Sequence, residues 1–176
     1  MIAVMARPKA QLLLGHGASG SAASMKPWVA ALGKRGIAAV ALDLPVGKPD
    51  AAVDVFRHAQ AAAPGAALGG QSFGGRMASL LAAELAVAAL VLLSYPLHRP
   101  GHPDEVRTEH WSRIRCPVLL LSGERDPFAK LDLLRREVTT LPHATLVTYP
   151  RVGHGLLPVV EDASDQISAF LRAAAR

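Results

Sequence analysis

Short apolar runs recur along this chain, and almost every one ends in a loop of glycine, proline or chemically active side chains. The runs are Ala10–Leu14, Ile37–Leu42, Ala66–Leu68, Ala89–Leu93, Val118–Ser122 and Thr145–Tyr149. Their continuous apolar character suits strands buried on both faces. Longer stretches of helical pattern separate them: Ser24–Lys34, Asp50–Ala63, Gly74–Ala86, Leu131–Leu141 and Val159–Ala174. Gly36, Pro64-Gly65 and Pro142 supply stop signals. Strand and helix in this alternation specify a mostly parallel sheet of about six strands flanked by helices. The segment from Ser94 to Arg115 interrupts the pattern. It is rich in Pro, His and charge and reads as an excursion, with a short helix near Glu105–Trp111.

Composition excludes several classes. The 176 residues fit one domain. Apolar residues make up 51%, but 32 residues are Ala, so the core is leaner than that fraction suggests. Charge is 19%, which excludes a disordered chain. The longest apolar run, Leu85 to Leu93, has nine residues. A membrane-spanning helix needs about 20, so no membrane partner is expected. The net charge of +5 is dispersed, with Lys34-Arg35 and Arg135-Arg136 the only adjacent basic pairs. Few aromatics stand beside them, so no nucleic-acid partner is expected, and the charge at most favours acidic substrates. Cys116 is the single cysteine, which forbids an intrachain disulfide. Arg7 and Lys9 precede only a three-residue apolar run, Leu12 to Leu14, too short for a signal peptide. A cytoplasmic location is the expectation; the oligomeric state is not legible.

In an open α/β sheet ligands bind outside the carboxyl ends of the strands, so the loops after the strands carry the chemistry. The first loop holds Gly15, Gly17 and Gly20, a G-x-G-x-x-G pattern, and Asp43 ends the second strand where a ribose-binding carboxylate belongs. These features favour a dinucleotide-binding oxidoreductase. The third loop favours another chemistry. Gly70-Gln71-Ser72-Phe73-Gly74 satisfies G-x-S-x-G between a strand and a helix, where a sharp turn projects the serine hydroxyl above the sheet. A serine needs a base, and the base needs an orienting carboxylate. Asp126 follows the fifth strand and His154 the sixth, in the order Ser, Asp, His. Glu124 and Asp132 are rivals for the acid; Pro127 fixes a turn beside Asp126 and favours it. Phe73 can donate one backbone N–H to an oxyanion. Ala18, with Gly17 behind it, can donate the second.

These segments give the chain a resemblance to a small α/β-hydrolase, similar to the dienelactone-hydrolase-like group and to predicted hydrolases of the testis-expressed and chromatin-complex-subunit type. The resemblance runs from about Leu12 to Leu171. It rests on Leu14-Gly15-His16-Gly17-Ala18, Gly70 to Arg76, Tyr95-Pro96-Leu97-His98, Arg107-Thr108-Glu109-His110, Gly123 to Pro127 and Gly153-His154-Gly155. It implies Ser72 as nucleophile, Asp126 as acid and His154 as base, and names no substrate; the chemistry of these residues points to an ester or thioester, with no cofactor and no metal expected. The chain lacks most N-terminal antiparallel strands of larger members and has no room for a cap domain. A weakly active interaction module of the same fold is the alternative.

Other residues carry bland expectations. His98, His102 and His110 are loop histidines lining or flanking the pocket, because Pro100, Gly101 and Pro103 deny them a helix face. Tyr95 contacts substrate or packs. Arg76 pairs with a carboxylate such as Glu109. Cys116 is a small core residue, and Asp43, outside a dinucleotide site, is a loop or cap residue.

Overall fold

The computed structural model describes residues 11–176. Arg7, Lys9 and Ala10 lie outside the described residues. Six strands form one parallel sheet: β1 (Leu12–Gly15), β2 (Ala39–Leu42), β3 (Ala67–Gln71), β4 (Leu90–Leu93), β5 (Val118–Gly123) and β6 (Ala144–Tyr149), in the order β2-β1-β3-β4-β5-β6. Five helices cover it: α1 (Lys26–Gly33), α2 (Pro49–Ala62), α3 (Phe73–Glu84), α4 (Leu131–Val138) and α5 (Val160–Ala174). No cap domain is evident among the described residues.

The evenly apolar strands follow from burial on both faces. Leu13, Leu68, Leu90, Leu92, Val118 and Leu120 pack with α2, α3 and α4. Leu12, Leu14, Val91, Leu93, Leu119 and Leu121 pack with α1 and α5. Adjacent residues point to opposite faces, so each central strand must be apolar at every position. The edge strands β2 and β6 are mostly half-exposed and accordingly more mixed.

The order of strands reverses direction between β1 and β3. A dinucleotide-binding sheet of the 3-2-1-4-5-6 type is not formed. Asp43, the candidate ribose ligand, instead accepts a hydrogen bond from the Ala22 N–H (2.7 Å), at the start of a short 3₁₀ helix over Ala22–Met25. The oxidoreductase expectation therefore fails on topology and on the engagement of Asp43.

Local boundaries moved for identifiable reasons. β3 continues through Gly69 and Gly70, residues of low strand propensity; a Cβ on Gly69 would crowd Val91 of β4, and one on Gly70 would crowd β1 and the first turn of α3. α4 stops at Val138 because Thr139 and Thr140 turn their hydroxyls back onto the carbonyls of Arg136 and Glu137, at 2.6 and 2.8 Å. The helix expected near Glu105–Trp111 is absent. Turns occupy that stretch, followed by a 3₁₀ helix over Trp111–Arg113.

Backbone approaches backbone closely between β1, β3 and the first turn of α3. A Cβ on Gly74 would overlap the Gly15 backbone, whose Cα would stand 2.8 Å away. Gly74→Ala should cost about 1–3 kcal/mol, since rigid backbone must give way. Gly33 ends α1 with nothing within 4 Å of a Cβ. Gly33→Ala should leave stability unchanged or raise it by up to about 1 kcal/mol. Urea midpoints at constant m-value separate the two; equal effects would contradict the crowding at Gly74.

Candidate active site

The chain leaves β3 at Gln71 and enters α3 at Phe73, so Ser72 makes the whole turn. It does so with φ 49° and ψ −113°, a region that L-residues rarely occupy. Backbone bonds hold the strain: Ser72 N–H donates to Leu93 O (2.8 Å), Gly74 N–H to His16 O (3.0 Å) and Arg76 N–H to Ser72 O (3.0 Å). The hydroxyl then projects from the carboxyl edge of the sheet, beside the point where strand order reverses.

Two loops meet it there. His154 Nε2 stands 2.8 Å from Ser72 Oγ. His154 Nδ1 stands 2.9 and 2.8 Å from the two carboxylate oxygens of Asp126. A carboxylate only accepts, so Nδ1 carries the proton and Nε2 presents its lone pair to the serine. Asp126 has a fully buried side chain, whereas that of His154 is 26% exposed. Asp126 Oδ1 also accepts from the Phe128 N–H (2.8 Å), a local turn that Pro127 helps to shape. The Phe128 ring lies over the imidazole with centroids 4.3 Å apart. The two loops are stitched by Glu124 N–H to Tyr149 O (3.0 Å) and Arg125 N–H to Val152 O (2.9 Å).

The rival carboxylates point elsewhere. Glu124 accepts from Thr148 Oγ1 at 2.8 Å, and Asp132 is exposed near Lys130.

Ser72, Phe73, Gly17, Ala18 and His154 line one cavity of about 410 Å³. The N–H groups of Phe73 and Ala18 have no intramolecular acceptor among the described residues. His16, 2% exposed, sets the direction of the second one. Its Nε2 accepts from Leu44 N–H (2.9 Å), so its Nδ1–H donates to Gly17 O (2.8 Å). Gly17 O also accepts from Gly20 N–H (3.0 Å). In a trans peptide the N–H points opposite to the C=O, so pinning Gly17 O aims Ala18 N–H the other way.

Tyr95 does not reach the cavity. It is 2% exposed, its hydroxyl donates to Arg107 O (2.6 Å), and its ring meets Trp111 edge-on at 4.9 Å. Burial pushes its pKa up to about 12. Packing, the second of its two expected roles, is the one observed. Pro96, the next residue, lines the cavity instead. Arg76 forms no ion pair with Glu109 or any other carboxylate among the described residues, and it too lines the cavity.

None of the three excursion histidines lines it. His98 is buried and ties two loops, donating from Nδ1 to Arg99 O (2.8 Å) and accepting at Nε2 from Lys130 N–H (3.0 Å). His102 is exposed beside Glu105. His110 packs against α3, with Nε2 2.7 Å from Ser79 Oγ. Cys116 packs at the edge of the core, and burial raises its thiol to about 11. The cavity residues Gln71, Phe128 and Arg107 were not foreseen; Gln71 directly precedes Ser72, whereas Phe128 and Arg107 reach the cavity through loop packing.

The alpha/beta hydrolase domain profile matches residues 48–176, a span that includes Ser72, Asp126 and His154. Solved structures share the fold. A monoacylglycerol lipase from Paleococcus ferrophilus superposes with a TM-score of 0.79 at 16% identity, covering 93% of this chain and 94% of its own. An esterase from Thermogutta terrifontis superposes with a TM-score of 0.75 at 18% identity, covering 93% and 89%. Est1E from Butyrivibrio proteoclasticus gives 0.76 at 17% identity, covering 92% and 88%.

His110 supplies a pH prediction. Burial pushes its pKa from 6.5 down to about 4, Arg76 and Arg113 reinforcing the shift against Glu109. The native state thus resists a proton that the unfolded chain accepts. Stability is complete above about pH 6.5 and is lost as pH falls toward 4, by on the order of 2 kcal/mol. His110→Gln, which keeps a donor toward Ser79, should flatten that slope in urea unfolding at pH 7, 5.5 and 4.5. Parallel curves for the two proteins would refute the assignment.

Proposed function

This chain belongs to the alpha/beta hydrolase domain family, and from that premise we propose that it is a serine hydrolase cleaving carboxylic esters or thioesters through an acyl-enzyme. One observation carries the proposal: the continuous hydrogen-bonded chain from Ser72 Oγ through the His154 imidazole to Asp126.

In this mechanism His154 Nε2 takes the Ser72 proton as Oγ attacks the substrate carbonyl. The new C–O bond pushes the carbonyl electrons onto oxygen, and the N–H groups of Phe73 and Ala18 bind that oxyanion. Asp126 holds the imidazole in the required tautomer and stabilises its cation. Collapse of the tetrahedral adduct expels the alcohol or thiol, which receives the proton from His154. Water, deprotonated by the same imidazole, then attacks the acyl-enzyme and releases the acid. Fixed donors aimed at a developing charge typically contribute about 10²–10³-fold each. The N-terminal position of Phe73 on α3 adds the positive end of the helix dipole.

The chemistry needs no cofactor, and no group of three or more His, Cys, Asp or Glu among the described residues is arranged to hold a metal ion. No helix of the described residues is long and apolar enough to cross a membrane.

Ser72→Ala should lower 4-nitrophenyl acetate turnover by at least about 10³-fold while circular dichroism and thermal unfolding stay unchanged. His154→Ala should cost a similar factor, and the double variant no more than either single one, because the residues act as a unit. A fluorophosphonate probe should label the wild type and not Ser72→Ala. Undiminished turnover in Ser72→Ala, or an unreactive wild type, ends the proposal and favours an inactive interaction module.

A further inference from the structure

Four described arginines are only partly exposed: Arg35, Arg57, Arg76 and Arg107. Withdrawing a guanidinium from water is unfavourable unless an anion answers it. Arg35 is answered by Glu161 and Asp165, and Arg57 by Asp54 and Glu84. Arg76 and Arg107 have no carboxylate partner among the described residues. Nε of Arg76 is buried with no hydrogen-bond acceptor. Residues 1–10 contain no Asp or Glu, so no acidic side chain in that segment can supply one. Of the carboxylates nearby, Glu105 pairs with Arg99 and Glu137 with Thr108 and Arg136, while Glu109 is exposed and pairs with neither arginine.

Both of these arginines line the cavity that holds Ser72 and His154. They also sense each other. The Arg107 pKa is lowered first by burial and next by the charge of Arg76. Arg76 lies in the first turn of α3, where the helix dipole already opposes a cation. Two partly buried like charges therefore share this cavity, one of them at an unfavourable helix end, and the missing partner is a negative charge. Arg107 is fixed there through its backbone: its N–H donates to Leu97 O (2.8 Å), and its carbonyl accepts from the buried Tyr95 hydroxyl (2.6 Å).

We propose that the substrate is an ester carrying its own anionic group, a carboxylate or a phosphate, which Arg76 and Arg107 grip beside the scissile carbonyl. This deepens the hydrolase assignment and rests on it. Guanidinium forks match either anion with paired, charge-assisted hydrogen bonds.

Matched esters test it. Phenyl acetate, 4-acetoxybenzoate and 4-acetoxyphenyl phosphate share an acetyl group and differ in charge on the leaving side. 4-Nitrophenyl hexanoate and mono-4-nitrophenyl adipate differ in charge on the acyl side. At least one charged ester should exceed its neutral counterpart in kcat/KM by at least about tenfold, and added salt should shrink that advantage. Which ester wins separates carboxylate from phosphate and acyl from leaving side. Arg76→Gln and Arg107→Gln should each collapse the charged-to-neutral ratio at least about tenfold, chiefly through KM, with Lys at either position restoring part of it.

Binding without chemistry gives an independent readout. Ser72→Ala protein should bind benzoate or inorganic phosphate, but not benzamide, and either Gln substitution should weaken that binding by at least about tenfold. Charged-to-neutral ratios near one in the wild type, or ratios and binding indifferent to both arginines, would overturn the anion site while leaving the hydrolase mechanism standing. Anion binding lost in the Gln variants, in a protein that turns over no ester, would do the reverse.

Discussion

The chain crosses from β3 into α3 within one residue, and the rest of the site is arranged around that crossing. Ser72 sits at φ 49°, a conformation that costs on the order of 1–3 kcal/mol for a residue with a Cβ. Relaxing it would swing the hydroxyl away from His154 and pull the α3 N-terminus off β1. Relaxation is blocked by contact at backbone level. Gly15, Gly70 and Gly74 leave no space between β1, β3 and α3; a Cβ on Gly70 would come within 2.6 Å of Gly15 O. The same bond that pins α3, from Gly74 N–H to His16 O, ties the elbow to the loop that presents Ala18. One packing contact thus positions the serine and both candidate oxyanion donors.

His154 and Asp126 come from the far side of the sheet, and their positions depend on different forces. β5 and β6 run to Gly123 and Tyr149, and the loops beyond them are joined by main-chain hydrogen bonds. Asp126 is buried with its carboxylate shared between a backbone N–H and an imidazole. An unanswered carboxylate there would be costly, so the two partners also hold the acid's orientation. His98 adds a brace from the excursion, bonding to the Lys130 N–H just after the acid loop.

Much of this architecture was legible because it depends on local pattern. A strand buried on both faces has no freedom to be polar, so β4 and β5 stood out from neighbouring sequence. G-x-S-x-G was legible because steric exclusion of Cβ leaves only glycine at two fixed distances from the serine. Asp126 and His154 were legible by chain order and loop position. The arginines were not. Whether a guanidinium is paired depends on which carboxylates the fold brings near, and Glu109, the candidate by sequence, is exposed. The role of Tyr95 stayed open for a similar reason: proximity to the carboxyl edge of the sheet does not fix side-chain direction, and Trp111, sixteen residues onward, draws its ring into the core. Helix ends at Thr139 and Thr140 moved because hydroxyl-to-backbone bonds competed with a helical pattern that continued past them.

The excursion between β4 and β5 acquires a role from these misses. It carries no regular element beyond one short 3₁₀ helix, yet Tyr95, Leu97, Thr108, His110 and Trp111 are all buried. Those anchors place Pro96 and Arg107 on the cavity wall. The segment thus supplies side chains to the cavity in a fold that has no evident cap. It does so at a cost, because its one cavity-lining cation faces another from α3. Apolar anchoring supports that electrostatic strain: the Tyr95–Trp111 contact and the hydrogen bond to Arg107 O hold the backbone in place even though the guanidinium pairs with no carboxylate among the described residues. Such a design is expected where charge is kept for something that arrives from solution rather than for the stability of the empty protein.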